Sequence, residues 1–228
     1  MNTSLIKEEK WGGAYKFFTS KIDLDFGVEY IHNANEFSPE FYQDLTGNES
    51  PEEVIQFFTF FVNKVIPKTD GGMIAFTESY YKTEEDQYYQ SNMMFYGPSF
   101  GNFVSITKYN FNDVLIFDFD EFGNITRVQI MRKRQVSEND NGSFSSFTHM
   151  NQRDKIRILF MNEIHRQSKY SEFSFDDENF GQNKSIFNIG EKEVLPLTKM
   201  AIQTGINEIV IPSLLNNHLS LIKVVYPQ

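Results

Sequence analysis

The side chains with the clearest potential for chemistry are a glutamate and a histidine in two predicted strands. Glu78 alternates with Phe76 and Tyr80, so these three residues share one strand face. A carboxylate among apolar neighbours loses solvation of its charged form, which suits it to general acid–base catalysis. His32 shares a face with Tyr30 on an earlier strand, and we expect either to pair with Glu78 as catalytic groups. The open alternatives are a structural, ion-paired or solvated Glu78 and a His32 bonded to backbone at a strand end.

Aromatic and methionine side chains are concentrated on two neighbouring predicted strands. Rings and thioethers suit contact with an apolar ligand, so we take Phe76, Tyr80, Met94 and Tyr96 as candidate ligand-binding residues. The same side chains would also suit a self-association face. A third interpretation is ordinary stabilisation of the sheet by cross-strand aromatic pairs.

Several kinds of site are excluded by composition and spacing. The chain has no cysteine, which excludes disulfides, a thiol nucleophile and cysteine-ligated metals. Its histidines show no metal-site spacing. The run from Asp118 begins like a calcium loop but has Gln129 in place of the bidentate glutamate. A GxSxG elbow, a Walker A loop and a GxGxxG fingerprint are all missing, so we expect neither a metal nor a cofactor.

Charge and hydropathy narrow the possible partners. The chain has 31 acidic and 21 basic residues, a net charge of −10, which disfavours a surface that tracks phosphates. We therefore expect no nucleic acid partner. No segment approaches the length of a membrane span, and the first residues lack the apolar region of a signal peptide. The sequence thus predicts no membrane association and a cytoplasmic location.

The strongest helix signal covers residues 52–66. Ser50 provides an N-cap, Pro51 occupies the first helical position, and apolar residues including Phe58 and Phe61 recur at helical spacing up to Pro67. This pattern predicts an amphipathic helix with Phe58 and Phe61 in the core. Weaker helices are predicted over residues 14–20 and 152–167, and a helical turn begins near residue 38.

The predicted strands follow the 52–66 helix as a meander. A period of two with turn residues between the runs predicts a strand over 27–33, then the strands 73–82, 87–96, 102–111, 113–120 and 125–134. Short turns imply antiparallel neighbours. Further strands are predicted over 193–204, 208–211 and 219–226. We divide the chain into a domain at 1–136, a linker or long loop at 137–149, and an αβ extension at 150–228 packed on the first domain.

The order of these elements resembles the NTF2-like (SnoaL-like) cone fold. Residues 47–58, GNESPEEVIQFF, resemble the family's entry into its third helix. Residues 117–128, FDFDEFGNITRV, are similar to its penultimate hairpin. The resemblance covers about residues 14–134 and implies an α+β fold, a curved antiparallel sheet closed by helices around an apolar pocket. Two positions depart from the ketosteroid-isomerase branch: Tyr30 stands where that branch has its base, and Leu115 near its acid.

These observations favour a binding function. The leading hypothesis is non-catalytic binding of a small apolar or aromatic ligand, or an apolar partner segment, in the cone-shaped pocket. The first alternative is an isomerase, cyclase or dehydratase of the SnoaL-like type, so catalysis stays open. The second is a structural self-association module, with a homodimer through the sheet face.

Overall fold

The computed structural model describes residues 2–6, 16–23, 25–46, 60–89, 102–153, 155–164, 169–176, 180–192, 194–215 and 218–227. Most of these residues lie in four antiparallel sheets, and the helices among them are short. The expected α+β cone closed by helices, with an αβ extension, is therefore wrong. Three segments expected to be helical, 14–20, 52–66 and 152–167, form strands over most of their described residues instead. Within the described ranges, no helix has the length and apolarity needed to span a membrane.

The first sheet contains β1, β2 and β3, paired in that order, and a helix follows it. The bounds are Asn2–Ile6 for β1, Lys16–Asp23 for β2, Val28–Glu36 for β3 and Pro39–Thr46 for α1. The helix expected over 14–20 is wrong from residue 16, because Phe17 and Thr19 alternate with Phe18 and pair with β3. The predicted strand over 27–33 and the helical turn near 38 are confirmed by β3 and α1.

The second sheet has the order β4-β5-β6-β7, with β8 paired to β6. The bounds are Phe60–Pro67 for β4, Met73–Tyr89 for β5, Asn102–Phe119 for β6, Ile125–Met131 for β7 and Gln135–Glu138 for β8. The helix predicted over 52–66 is wrong for residues 60–66, which pair with β5. Phe61 is 54% exposed, so its predicted place in the core is also wrong. Phe58 and the rest of the helix start lie outside the described residues.

The third sheet has the order β12-β11-β10-β9. The bounds are Phe147–Asn151 for β9, Lys155–Met161 for β10, Lys169–Asp176 for β11 and Phe180–Asn188 for β12. The helix predicted over 152–167 is wrong for residues 155–161. Ile158 and Leu159 point to opposite faces and both are fully buried, which a strand covered on two sides requires.

The fourth sheet follows a short helix, α2, at Ile189–Lys192. Its strands are β13 at Val194–Pro196, β14 at Ile202–Gly205, β15 at Glu208–Leu215 and β16 at His218–Val225. β15 pairs with β13, β14 and β16. The strands predicted over 208–211 and 219–226 are confirmed. The strand predicted over 193–204 is interrupted by a 3-10 turn at Thr198–Met200, which separates β13 from β14.

The chain divides into two compact units, each with its own apolar core. One unit contains Met1–Tyr80 and Asn112–Arg132, and the other contains Tyr81–Phe111 and Lys133–Gln228. The core of the first unit includes Phe17, Leu45, Met73, Phe117 and Phe119. The core of the second includes Met150, Leu159, Met161, Tyr170, Ile209 and Ile211. The segment expected as a linker, 137–149, contains the end of β8 and the start of β9 and lies in the second unit.

Candidate functional site

Glu78 lies on β5 and is only 3% exposed. Its neighbour across the sheet is Phe61 of β4. The amide Nδ2 of Asn63 donates a hydrogen bond of 3.0 Å to Glu78 Oε2. This contact places an amide beside the carboxylate, and the general acid–base role of Glu78 stays a prediction.

The two proposed partners of Glu78 lie on β3. His32 pairs with Ser20 of β2, and the pairing shifts by one residue between Ile31 and Glu29, on either side of Tyr30. The side chains of His32 and Tyr30 lie outside the described residues. A pair of either residue with Glu78 therefore stays a prediction.

The predicted ligand-binding residues are only partly described. Phe76 is fully buried, and Tyr80 is half-buried with its ring centroid 6.0 Å from that of Phe61. Met94 and Tyr96 lie outside the described residues. The ligand-binding role of these four residues stays a prediction.

The second unit contains a half-open pocket of about 540 Å³. Its wall is formed by the β9–β10 connection with the start of β10, by the β14–β15 turn and by Pro227. Its polar lining residues are Gln152, Arg153, Lys155, Arg157 and Asn207. Ile206 and Pro227 contribute the apolar lining. A volume in this range is typical of small-molecule sites.

Arg157 is held in place beside this pocket on three sides. Its Nη1 donates to Glu172 Oε1 in an ion pair, and its Nε donates to Gln152 Oε1 at 2.5 Å. The guanidinium carbon lies 4.1 Å from the ring centroid of Tyr226, a cation–π contact. Because each contact fixes a different part of the guanidinium, the group is preorganised.

Glu172 is the buried acceptor shared by Arg157 and Tyr226. Its side chain is 4% exposed, and it accepts a hydrogen bond of 2.6 Å from the Tyr226 hydroxyl. Burial and the bond to Glu172 raise the pKa of Tyr226, so this hydroxyl stays a donor at neutral pH. The register of β10 with β11 brings Arg157 and Glu172 together. Glu172 lies opposite Leu159, and Arg157 is two residues before Leu159 on the same face of the sheet.

The pocket wall carries hydrogen-bond donors that have no acceptor among the described residues. Asn207 Oδ1 accepts a 2.7 Å bond from Gln152 Nε2. Within the described part of the chain, Asn207 Nδ2 and the cationic groups of Arg153 and Lys155 have no protein acceptor. Arg157 Nη2 has none there either. Such donors can be satisfied by water or by a ligand that brings acceptors.

Sequence reasoning missed this site because it predicted a helix over residues 152–167. On a helix, Arg153, Lys155 and Arg157 point in different directions, whereas on β10 Lys155 and Arg157 alternate and share one face, with Arg153 in the connection just before the strand. The period-two spacing of these cations was the available signal. No such signal marked Asn207 or Tyr226. They lie far from Arg157 in sequence, and only the folding of the chain brings them close to it.

Comparisons with known proteins add no identification. No family model, no curated protein and no solved structure matches the chain. In the ranges that the structure describes, no group of histidine, aspartate and glutamate side chains is arranged to hold a metal ion.

Proposed function

We propose that the protein binds a small ligand rich in hydrogen-bond acceptors in the pocket formed by Arg157, Asn207 and their neighbours. The observation that carries this proposal is the set of donors on the pocket wall that lack an acceptor among the residues that the structure describes. A donor-rich wall selects a ligand with acceptors because unpaired polar groups are costly once a ligand displaces water. A cytoplasmic location, expected from the sequence, belongs to the same proposal.

This proposal keeps one part of the hypothesis drawn from the sequence and replaces another. Non-catalytic binding is retained, while the cone-shaped pocket is abandoned because the cone fold is wrong. An apolar or aromatic part of the ligand would contact Ile206 and Pro227. Catalysis by an isomerase, cyclase or dehydratase would require Glu78 with a partner on β3 and stays a proposal of its own.

Saturation-transfer NMR with a library of small carboxylic acids, amides and ketones tests the proposed function. We expect several compounds to bind the wild-type protein. Substituting Asn207→Asp keeps the acceptor for Gln152 and replaces a donor by an acceptor, so it should weaken binding about tenfold or more, the usual consequence of mismatched polar groups.

Lys169→Gln is the matched control. Lys169 is exposed at the end of β11 that lies away from the pocket, so its substitution should leave binding unchanged. The proposal fails when no compound binds the wild type, or when Asn207→Asp and Lys169→Gln bind the library equally well.

Self-association is a second candidate function, favoured by exposed apolar side chains on the fourth sheet. Ile202, Leu219, Leu221 and Val225 are each at least 60% exposed. Leu219 and Leu221 alternate along β16 and so point to the same side. Large apolar side chains gathered on one face suit an interface. This face differs from the one expected from the sequence, which included Tyr80 and Tyr96; only the homodimer itself is kept from that expectation.

Sedimentation velocity over a range of protein concentrations tests the homodimer. We expect the wild-type protein to associate and Leu219→Lys with Leu221→Lys to shift it to the monomer, since burying each leucine contributes roughly 1.5–3 kcal/mol. Val104→Lys, at an exposed position on β6, is the control and should still associate. A wild-type protein that stays monomeric at all concentrations contradicts the homodimer.

A further inference from the structure

The charges around the pocket limit the ligand's own charge. Arg153, Lys155 and Arg157 bring three positive charges to its wall. Glu172 is paired with Arg157, and Asp176 is the cross-strand neighbour of Lys155. These two carboxylates offset part of the positive charge, and an anion with two or more charges would be repelled by them as well as attracted by the cations.

The donors still favour an anion with a planar acceptor group. Arg157 is restrained by Gln152, Glu172 and the Tyr226 ring, so its remaining N–H groups are fixed in direction before a ligand arrives. Guanidinium N–H groups in a fixed plane match the two oxygens of a carboxylate. Asn207 Nδ2 offers a further donor on the same wall.

Pocket size and apolar lining show that a bare ion would leave most of the site empty. The volume of about 540 Å³ is that of a site for an organic molecule. Ile206 is 51% exposed in the β14–β15 turn, and Pro227 also lines the pocket. Covering these two side chains with an apolar group would remove their surface from water.

We propose that the ligand is a monocarboxylate with an apolar body, its carboxylate held at Arg157 and Asn207 and its body placed against Ile206 and Pro227. This proposal rests on the proposed function of the pocket. It adds a charge and a shape that binding of acceptor-rich compounds in general does not require.

Isothermal titration with matched probes tests the ligand class. Hydrocinnamate is the expected ligand. Hydrocinnamamide removes its charge, phenylsuccinate adds a second carboxylate, acetate removes the body, and inorganic phosphate supplies a compact, multiply charged ion. We expect hydrocinnamate to bind at least about tenfold more tightly than each of the others, because each differs from it in charge, in apolar body or in both.

Three variants locate the binding. Asn207→Asp and Arg153→Gln should each weaken the binding of hydrocinnamate, and Ile206→Ser should bring its affinity closer to that of acetate. Thermal unfolding checks that each variant folds, and the exposed position of Arg153 keeps one variant interpretable should Asn207→Asp be unstable. Lys169→Gln should behave like the wild type.

The outcomes separate the two proposals. Equal binding of hydrocinnamamide, or tighter binding of phenylsuccinate or phosphate at the same residues, overturns the monocarboxylate class and leaves the pocket as a binding site. Hydrocinnamate binding that Asn207→Asp and Arg153→Gln leave unchanged overturns the placement. Failure of every probe here and of the whole NMR library overturns both proposals.

Discussion

Replacing Phe117 with alanine should lower the free energy of unfolding of the first unit by about 3–5 kcal/mol, the usual cost of removing a buried phenylalanine. Phe117 on β6 has no exposed surface. Its ring centroid lies 4.9 Å from that of Phe17, 5.7 Å from that of Phe37 and 6.1 Å from that of Phe119. The substitution removes these contacts and leaves a cavity that a sheet-bound core cannot easily close. Urea denaturation followed by circular dichroism measures the change.

Phe61→Ala is the matched control for this prediction. Phe61 is 54% exposed on β4, and its ring contacts that of Tyr80 at a centroid separation of 6.0 Å. Its removal should cost at most about 1 kcal/mol, as for most exposed substitutions. Equal losses in the two variants would mean that the core of the first unit is not the one built around Phe117.

The contrast between these two phenylalanines shows where sequence reasoning went wrong. Ser50, Pro51 and the helical spacing up to Pro67 all point to one helix. The same residues from 60 onward, rich in valine, isoleucine and phenylalanine, also have high β-propensity. Pairing with β5 decides between the two, and β5 is separated from β4 by the turn around Gly71. The spacing of residues within 52–66 contains no information about pairing with β5.

Strands with a clear alternation were predictable. Residues 73–82 and 125–131 lie in β5 and β7, and 208–211 and 219–225 lie in β15 and β16. The break expected between the predicted strands 102–111 and 113–120 is instead continuous strand within β6. Asn110 is buried there and donates to the Tyr81 carbonyl at 3.5 Å, so a residue typical of turns is accommodated in a sheet.

The pocket was harder to predict than the strands. Arg157 and Glu172 are 15 residues apart, and Glu172 and Tyr226 are 54 apart. Each residue alone is an ordinary charged or aromatic position in a strand-rich segment. Only the register of β10 with β11, and the bond from the Tyr226 N–H to the Asn207 carbonyl, bring them together. These pairings are properties of the folded chain, whereas spacing along the sequence carries only the cations at 153, 155 and 157.

Replacing Glu172 with alanine should destabilise the second unit by about 3–5 kcal/mol, the expected cost of removing one partner of a buried ion pair. The substitution takes the acceptor from Arg157 and from the Tyr226 hydroxyl at once. The guanidinium would remain close to the core with its charge uncompensated. Glu172→Gln keeps an acceptor oxygen without the charge, so its loss should be smaller.

Glu208→Ala in the same unit separates the effect of burial from that of pairing. Glu208 and Lys223 form a pair at 2.6 Å, but the lysine side chain is 57% exposed. Water solvates the remaining charge when such a pair is lost, so the expected cost is much smaller than that of Glu172→Ala. Chemical denaturation of the three variants should therefore show a much larger loss of unfolding free energy for Glu172→Ala than for Glu172→Gln or Glu208→Ala. A Glu172→Ala variant as stable as Glu208→Ala would show that Arg157 does not depend on Glu172, and the fixed guanidinium on which the pocket proposal depends would be lost with it.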